Sequence, residues 1–232
     1  MKTDYLKYTG FEFVQAENGY KVNTDTVSLG MFLDDMKNKS VLDIGTNTGA
    51  LLLYALQKGA NDLHGTDIHA DALELAELNL KRYAASYHLY QSRIQDLKMD
   101  RVDVVICNPP FFEMNNVTED SYFREAMFEE SLPLKELFLA IRRFMKENGE
   151  AYIIYQADRF PELYDMCLQH KLKIMKMQFV HDIRSAHALR VLLKLKIGRM
   201  SKLKIYRPIL IDNGSFIDME KIPDSKGKED YV

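Results

Sequence analysis

Four residues at the end of an apolar run have side chains suited to chemistry: Asn108, Pro109, Pro110 and Phe111. The run before them, residues 104–107, is apolar throughout, as in a buried strand of a parallel sheet. Two successive prolines stop that strand because they have no N–H to extend a ladder. The strand therefore delivers an amide, a stiff corner and a ring to its carboxyl end, where open α/β sheets bind ligands. By itself the tetrapeptide is equally compatible with a strand that simply ends in a proline turn.

An amide oxygen beside a fixed backbone carbonyl suits a substrate that offers two N–H donors. An exocyclic amine on a purine is a poor nucleophile, because its lone pair is delocalised into the ring. Asn108 cannot act as a general base, but its oxygen and the Pro109 carbonyl can accept both amine hydrogens and turn the lone pair out of the ring plane. Phe111 offers a face on which a base can stack, an interaction worth roughly 1–3 kcal/mol.

A glycine-containing turn follows an earlier apolar strand that carries Asp43. Its spacing departs from the G-x-G-x-x-G pattern of dinucleotide sites, since Asn47 and Ala50 take the second and third glycine places. An acid at this point repels a phosphate but attracts an ammonium group. Glycine permits positive φ and close approach of a ligand. The turn residues expected to contact a cofactor are Gly45, Thr46 and Gly49.

Two more acids follow the next strands of the chain. Asp67, with Ile68 after it, is placed to accept both ribose hydroxyls of a nucleoside. Asp96 comes later, where a carboxylate could receive an adenine amino group. A ligand with an ammonium group, two ribose hydroxyls, an adenine and no phosphate is S-adenosyl-L-methionine. Each acid alone is more often a surface charge or a helix cap, but together at successive strand ends they predict a site for this cofactor.

The order of these motifs resembles that of class I S-adenosylmethionine-dependent amino-methyltransferases. More narrowly, Phe11-x-Phe13-x-Gln15, the segment 21–30 and Arg190-Val-Leu-Leu193 resemble the bacterial tRNA(Val) adenine-N6-methyltransferases, over roughly residues 10–212. The resemblance implies an α/β fold with a doubly wound, mostly parallel, Rossmann-like sheet. It also implies methylation of N6 of the adenine just 3′ of the anticodon of valine tRNA, and it adds Asp25 to the cofactor-binding residues.

Two departures from the family pattern and three alternatives accompany this interpretation. Asn47 replaces the commoner middle glycine, and Phe111 stands where many members have tyrosine; neither should remove activity, since asparagine tolerates the turn and phenylalanine also stacks. Ribosomal RNA guanine-N2-methyltransferases, release-factor glutamine methyltransferases and a non-catalytic RNA-binding relative remain as alternatives. The chemistry does not choose adenine over guanine. Phe112, where guanine enzymes often carry histidine, favours adenine, and the short stretch before Val41 disfavours the glutamine enzymes.

The composition indicates one α/β domain, since 232 residues with 47% hydrophobic side chains can bury a single core. We expect a hairpin and helix extension at 1–39, a core at 40–212 and a flexible tail at 213–232. The hairpin is expected at 11–22 with its turn at 17–19, and the helix is expected to begin near residues 23–25, where asparagine is a favoured N-cap. Two cysteines and scattered histidines predict reduced thiols in a cytoplasmic protein and no metal site. The charged start and the lack of a long apolar stretch predict neither signal peptide nor membrane span. A monomer is expected by default.

Charge is distributed unevenly along the chain, which has a net charge of −3. From Lys171 to Arg207, eleven Lys/Arg residues occur with a single acid, Asp182, whereas the rest holds twenty basic and thirty-three acidic residues. Such a run is usually a solvated face, but on an otherwise acidic protein it also indicates a polyanionic partner, here tRNA. The residues expected to contact RNA are Lys194, Lys196, Lys202, Phe112 and Arg124.

Overall fold

A mostly parallel sheet of ten strands with helices on both faces forms the body of the protein. The computed structural model describes residues 1–16, 21–109, 132–200 and 202–217. Its helices are α1 Thr24–Phe32, α2 Ala50–Gln57, α3 Ala70–Leu80, α4 Leu134–Phe144 and α5 Phe160–Gln169. Its strands are β1 Lys2–Tyr5, β2 Glu12–Gln15, β3 Ser40–Ile44, β4 Asp62–Asp67, β5 Tyr87–Gln91, β6 Val102–Cys107, β7 Met145–Gln156, β8 Leu172–Asp182, β9 Arg190–Ile197, β10 Lys204–Ile205, β11 Ile209–Asp212 and β12 Ser215–Phe216.

The strand order in the large sheet is β12-β11-β8-β9-β7-β6-β3-β4-β5, with β10 also paired to β8. Strands β7, β6, β3, β4 and β5 are mutually parallel, while β9 lies antiparallel between β7 and β8. The chain winds from β3 outward to β5 and then returns to β6 on the other side of β3. The predicted doubly wound, mostly parallel sheet is therefore confirmed, and its topological switch point lies between β3 and β6.

Two layers of apolar side chains hold the helices against the sheet. Val104 and Ile106 of β6 pack in the layer that contains α1 and α2, whereas Val105 and Cys107 pack in the layer that contains α4 and α5. Because both faces of β6 are covered, the strand needs apolar residues at every position, which explains the uninterrupted run in the sequence. Among the described helices, none has the length and apolar character that crossing a membrane requires.

The N-terminal extension is built differently from the sequence prediction. β2 pairs antiparallel with β1 rather than with the residues that follow the predicted turn. The turn itself, residues 17–19, lies outside the described residues. The turn between β1 and β2 includes Tyr8 and Gly10, both with positive φ. Buried Asn79 of α3 holds β2 like a neighbouring strand, because its amide accepts from Val14 N at 2.7 Å and donates to Val14 O at 2.9 Å.

Helix α1, which follows the β1–β2 hairpin, begins where the sequence predicts. The side chain of Asn23 caps α1 by accepting from Thr26 N at 2.9 Å, as expected for asparagine at an N-cap. Gly30 then lets α1 lie against α2, since a Cβ at this position would come within 2.3 Å of the Tyr54 ring. The first turn of α1 is thereby fixed close to the carboxyl edge of the sheet.

The predicted tail boundary at residue 213 is wrong for residues 213–217. Asn213 and Gly214 both have positive φ, 48° and 75°, as in the tight turns that favour Asn-Gly. This turn returns the chain as β12, which pairs with β11 at Ile211 and Phe216. The Asn-Gly pair carried the hairpin signal in the sequence, but the short strand that follows it has no periodicity of its own. The remainder of the predicted tail lies outside the described residues.

Candidate functional site

A cavity of about 440 Å³ opens at the carboxyl edge of the sheet. The ends of β3, β4 and β6 form its floor, the first turn of α1 covers one side, and the start of β9 borders another. Parallel sheets bind ligands at this edge, beside the switch point. The cavity gathers six of the residues predicted for the cofactor from the sheet and its turns: Gly45, Thr46, Asp67, Ile68, Asn108 and, from α1, Asp25.

Asp43 is a fully buried carboxylate that does not itself line the cavity but directly precedes Ile44, Gly45 and Thr46, which do. Its side chain is 0% exposed, and neither oxygen meets a described donor in hydrogen-bonding geometry. Burial raises the pKa of Asp43 to about 7; the neighbouring Thr46 hydroxyl opposes the rise, and the charge of Asp67 adds to it. An orphaned buried carboxylate at a strand end is a group that a cationic ligand would satisfy.

The turn after β3 provides room for a ligand rather than side chains. Gly45, Asn47 and Gly49 have positive φ of 71°, 50° and 77°. A Cβ on Gly45 would meet no protein atom within 4 Å, so this part of the turn stays open. A Cβ on Gly49 would lie 3.3 Å from the backbone of Ala76, so that glycine serves helix packing and does not line the cavity. Asn47 adopts the positive φ that its side chain tolerates, as the sequence predicts.

Asp67 stands at the end of β4 with its carboxylate held by two backbone donors. Asn47 N donates to Oδ2 at 2.9 Å, and His69 N donates to Oδ1 at 3.1 Å. Burial raises the pKa of Asp67, although these backbone donors act in the opposite direction. An ionised carboxylate has about four acceptor sites, so lone pairs remain for two hydroxyls of a ligand.

The end of the cavity beyond Asp67 is apolar and backbone-lined. Ile68 and Ile94 border it together with Ser92 and Arg93. The predicted contact from Asp96 is not supported, because Asp96 is exposed and does not line the cavity. The reason is local: the segment after β5 makes a turn in which Asp96 N donates to Arg93 O, and this turn directs Ile94 inward. A flat ring would lie between the two isoleucines.

Asn108 directly follows β6 and is bonded to the first turn of α1. Its Nδ2 donates to Thr26 Oγ1 at 3.2 Å. The Thr26 hydroxyl in turn donates to Asn23 Oδ1 at 3.0 Å, and the Asn23 oxygen also accepts Thr26 N. We call this chain of contacts the amide relay. Asn23, Thr26, Asn108 and the buried Pro109 all line the cavity.

The predicted ligand contact of Asp25 is replaced in part by an ion pair. Arg190, at the start of β9, donates through Nε to Asp25 Oδ2 at 2.9 Å, and both side chains are mostly buried. This pair joins two segments that are far apart in sequence and closes the side of the cavity where Val180 and Ile211 also lie. The charge of Asp25 is therefore compensated within the protein.

Several predicted site residues cannot be placed. Pro110, Phe111, Phe112 and Arg124 lie outside the described residues. Conversely, the prediction from sequence missed many residues that line the cavity, among them Asn23, Thr26, Ile94 and Arg190. Asn23 carried a recognisable signal as a helix cap, but nothing local relates Thr26 to Asn108, which lies 82 positions away.

Two of the lysines expected to contact RNA are engaged elsewhere. Lys194 bonds Asp34 Oδ2 and Glu150 Oε1, each at 2.8 Å, with only 14% of its side chain exposed, and Lys196 lies 3.2 Å from Glu150 Oε1. Burial opposes ionisation of both acids, but the surrounding lysines together outweigh it, and the pKa of Asp34 and of Glu150 falls to about 2. Lys194 acts on both acids, with Lys176 beside Asp34 and Lys39 beside Glu150. The predicted phosphate contacts of Lys194 and Lys196 are thus not supported, because strand pairing brings acids from distant segments to them. Lys202 is exposed.

Residues 20–172 match the family model of the methyltransferase small domain. The tRNA1(Val) (adenine(37)-N6)-methyltransferase of Vibrio vulnificus is 32% identical over 163 residues, which cover 66% of this chain and 68% of that protein. The protein of the same name from Parabacteroides distasonis is 25% identical over 209 residues, covering 88% of each chain. The chain belongs to the tRNA1(Val) (adenine(37)-N6)-methyltransferase family. The resemblance read from the sequence is confirmed.

Solved structures of methyltransferases share the fold. The ribosomal protein L11 methylase of Lactobacillus delbrueckii subsp. bulgaricus superposes with a TM-score of 0.61 at 15% identity, covering 85% of this chain and 100% of that one. An S-adenosylmethionine-dependent methyltransferase from Clostridium acetobutylicum gives a TM-score of 0.54 at 13% identity, covering 78% and 93%. The family and the fold together bear out S-adenosyl-L-methionine as the methyl donor. Within the described residues, no cluster of His, Cys, Asp or Glu could hold a metal ion.

We predict that Asp43 makes the stability of the ligand-free protein depend on pH. Its pKa in the fold, about 7, lies above its ordinary value of 3.8, so between about pH 4 and 7 the folded chain holds a proton that the unfolded chain has lost. The contribution of Asp43 to stability therefore falls as pH rises through that window. Asp43→Asn should lessen the fall, measured as the free energy of urea unfolding at pH 5 and pH 8.

Asp96→Asn is the matched control, since it removes an exposed carboxyl from the same edge of the sheet. It should leave the pH dependence of unfolding as in the unsubstituted protein. If Asp43→Asn and Asp96→Asn give the same pH dependence, the burial of Asp43 has no energetic consequence and this account of the site is wrong.

Proposed function

We propose that this protein transfers a methyl group from S-adenosyl-L-methionine to the exocyclic N6 of an adenine in tRNA, at the position just 3′ of the anticodon of valine tRNA. The amide relay is the observation that carries the proposal, because it turns a hydrogen-bond acceptor towards a substrate amine at the mouth of a nucleoside-sized cavity. The names of the relatives support the tRNA and the base. A tRNA substrate would place the reaction in the cytoplasm.

The cavity fits S-adenosyl-L-methionine on two independent observations. The orphaned Asp43 carboxylate suits its ammonium group, and the free lone pairs of Asp67 suit its ribose hydroxyls. Ile68 and Ile94 would hold the adenine, and the open turn at Gly45 would leave room for the amino acid part. When bound, the cofactor supplies a methyl group on a positively charged sulfur.

The hydrogen bonds of Thr26 fix the orientation of the Asn108 amide. The single hydroxyl proton of Thr26 is directed to Asn23 Oδ1, so Thr26 Oγ1 can only accept from Asn108. The Asn108 NH2 must therefore face Thr26, which leaves Oδ1 for the cavity. A flipped amide would set two oxygens against each other, or would require Thr26 to abandon Asn23 at a cost of one hydrogen bond, about 0.5–1.5 kcal/mol.

The Asn108 oxygen orients the substrate amine and does not remove a proton from it before methyl transfer. Together with the Pro109 carbonyl it would accept the two hydrogens of an exocyclic amine and turn the nitrogen lone pair towards the methyl group. The same two oxygens would stabilise the positive charge that grows on the nitrogen as the N–C bond forms and the methyl group's bond to sulfur breaks. One of the two amine hydrogens would then be lost to water as a proton, which gives the neutral methylated amine. The proline after Asn108 fixes φ of the corner, so these acceptors need little reorganisation.

Adenine and guanine both offer an exocyclic NH2, so the choice of base rests on the family. We predict N6-methyladenosine as the product when the purified protein acts on unmodified valine tRNA with S-adenosylmethionine. Mass spectrometry of the nucleosides after digestion measures this directly. N2-methylguanosine as the sole new nucleoside would overturn the adenine assignment, and a methylated release factor in a parallel reaction would overturn an RNA substrate altogether.

Cofactor binding and chemistry are predicted to separate by substitution. Asp67→Ala should weaken S-adenosylmethionine binding about tenfold or more, because hydrogen bonds to a charged acceptor are worth roughly 1.5–3 kcal/mol each. Asn108→Ala should leave the cofactor Kd nearly unchanged while kcat collapses. Calorimetry gives the first quantity and single-turnover methylation the second. An equal loss of cofactor affinity in both variants would contradict these roles.

Thr26 is predicted to be a positioning residue that sets the Asn108 amide. Thr26→Val keeps the shape but removes the acceptor, so kcat should fall about two- to tenfold, the worth of one hydrogen bond, with the cofactor Kd unchanged. Thr26→Ser retains the hydroxyl and should restore most of kcat, whereas a role in helix packing alone would be served better by valine. Thermal melting of both variants controls for stability. A Thr26→Val enzyme with full kcat would refute the relay.

A further inference from the structure

An exposed basic segment runs along the outer edge of the sheet near the cavity. Residues 202–207, Lys-Leu-Lys-Ile-Tyr-Arg, are all exposed and include β10. We call this segment the basic ribbon. Its backbone is nevertheless held in place, because Tyr206 N donates to Met177 O at 2.9 Å and Gln178 Nε2 donates to Arg207 O at 2.8 Å. The ribbon is thus an anchored surface that offers its side chains to solvent.

The charges of the ribbon differ from those of its basic neighbours. Elsewhere between residues 171 and 207, five basic side chains form ion pairs with acids: Lys176, Arg184, Arg190, Lys194 and Lys196. Lys202, Lys204 and Arg207 form no ion pair with any acid in the part of the chain that is described. Lys171, Lys173 and Arg199 likewise form no ion pair with a described acid, so the ribbon carries three of the six basic residues of this region that lack a described acidic partner. On β9, by contrast, Arg190, Lys194 and Lys196 are all paired.

The ribbon leads directly to the cavity. β10 pairs with β8 at Lys176 and Met177, and β11 continues along β8 to pair with Val180. Val180 and Ile211, at the end of that path, line the cavity. An extended chain spans at most about 3.5 Å per residue, so Arg207 lies within about 14 Å of Ile211 and Lys204 within about 25 Å. A polyanion bound on the ribbon could reach the cavity without leaving the protein surface.

We propose that the basic ribbon binds the tRNA on either side of the methylated nucleotide. Lys202, Lys204 and Arg207 contact phosphates, and Tyr206 stacks on an unpaired base. Lys176 Nζ lies 5.0 Å from the centre of the Tyr206 ring, so one face is occupied by a cation and the other is left for a base. This surface rests on the proposed function for its ligand, a single-stranded stretch of tRNA.

The chemistry of the ribbon favours RNA over a protein occupant. Three cations and a tyrosine occur within six residues that contain no acid, which is the composition expected of a surface for a phosphate backbone with an exposed base. Leu203 and Ile205 are exposed as well. If a second copy of this chain occupied the ribbon, these two apolar side chains would form the contact with it. The two occupants give opposite responses to salt, because phosphate contacts weaken as salt rises and apolar contacts do not.

The test compares two triple variants that lose the same charge. One carries Lys202→Gln, Lys204→Gln and Arg207→Gln; the control carries Lys81→Gln, Lys98→Gln and Lys135→Gln, three exposed lysines outside the ribbon that form no ion pair with described residues. Binding of unmodified valine tRNA is measured from low to high salt. The ribbon variant should bind more weakly, with a log–log slope flatter by roughly 2–3, since each lost phosphate contact removes about 0.7–0.9. The control should keep its slope.

Tyr206→Ala and Tyr206→Phe test the stacking contact separately. Phenylalanine should keep tRNA affinity and alanine should lower it, with the S-adenosylmethionine Kd unchanged in both. Equal slopes in the ribbon and control variants would overturn the proposal. The proposal would also be overturned if the ribbon variant changed only the self-association of the protein, measured by sedimentation. The occupant of the ribbon would then be a second copy of the chain.

Methylation by the unsubstituted protein is measured in parallel so that the two proposals can fail separately. A flatter dependence of tRNA binding on salt in the ribbon variant supports RNA binding by the ribbon. It does so even if the unsubstituted protein yields a nucleoside other than N6-methyladenosine. An unchanged slope overturns the ribbon even if N6-methyladenosine is formed.

Discussion

The site depends on the parallel register of three neighbouring strands. Ile44 of β3 is paired on one side with β4 at Thr66 and on the other with β6 at Cys107. The next residue along each chain segment, Gly45, Asp67 or Asn108, therefore lies at the same height and lines the same cavity. A slip of one residue in β6 would turn its side chains to the opposite faces, and the apolar layers on both faces prevent it. Core packing thus sets the distance between Gly45 and Asp67, which we propose contact the cofactor, and the Asn108 amide, which we propose contacts the substrate amine.

The same register imposes a cost at Asp43. A carboxylate without donors in an apolar surrounding destabilises the fold, and the raised pKa of Asp43 expresses this. Burial, with the charge of Asp43, also raises the pKa of the nearby Cys107, whose thiol donates to Ile44 O at 3.3 Å. Cys107 therefore stays a neutral packing residue. A negative group kept ready for a cationic ligand is the kind of local instability that a binding site retains.

Sequence predicted best the features that depend on neighbours along the chain. The run 104–107, the turn at 45–49 and the cap at Asn23 each carry their reason locally, as apolar residues, glycines or an N-cap side chain. The acids at successive strand ends predicted the cofactor, and the family resemblance added the tRNA substrate and the choice of adenine. Asp96 was misplaced because a turn of a few residues decides which side chain faces inward, and that turn leaves no periodic pattern.

Prediction failed where a residue's partner lies far away in sequence. Lys194 looked like a free cation because its partners, Asp34 and Glu150, are 160 and 44 positions away. The same limit hid the contact of Thr26 with Asn108. Charge counted along a segment is thus a weak guide to surface charge, since a sheet brings acids from other strands to it.

Segments outside the parallel strands complete the cavity. The sheet is shared with a methylase whose name gives ribosomal protein L11 as its substrate, so a sheet of this kind does not by itself choose the methyl acceptor. In this protein the first turn of α1 bonds the Asn108 amide that we propose faces the acceptor, and Arg190 holds that turn to β9 through Asp25. The substrate side of the cavity is thus assembled from segments 82 and 165 positions apart. The proposed contacts to the acceptor thus depend on α1 and the start of β9, whereas the proposed contacts to the cofactor lie on β3 and β4.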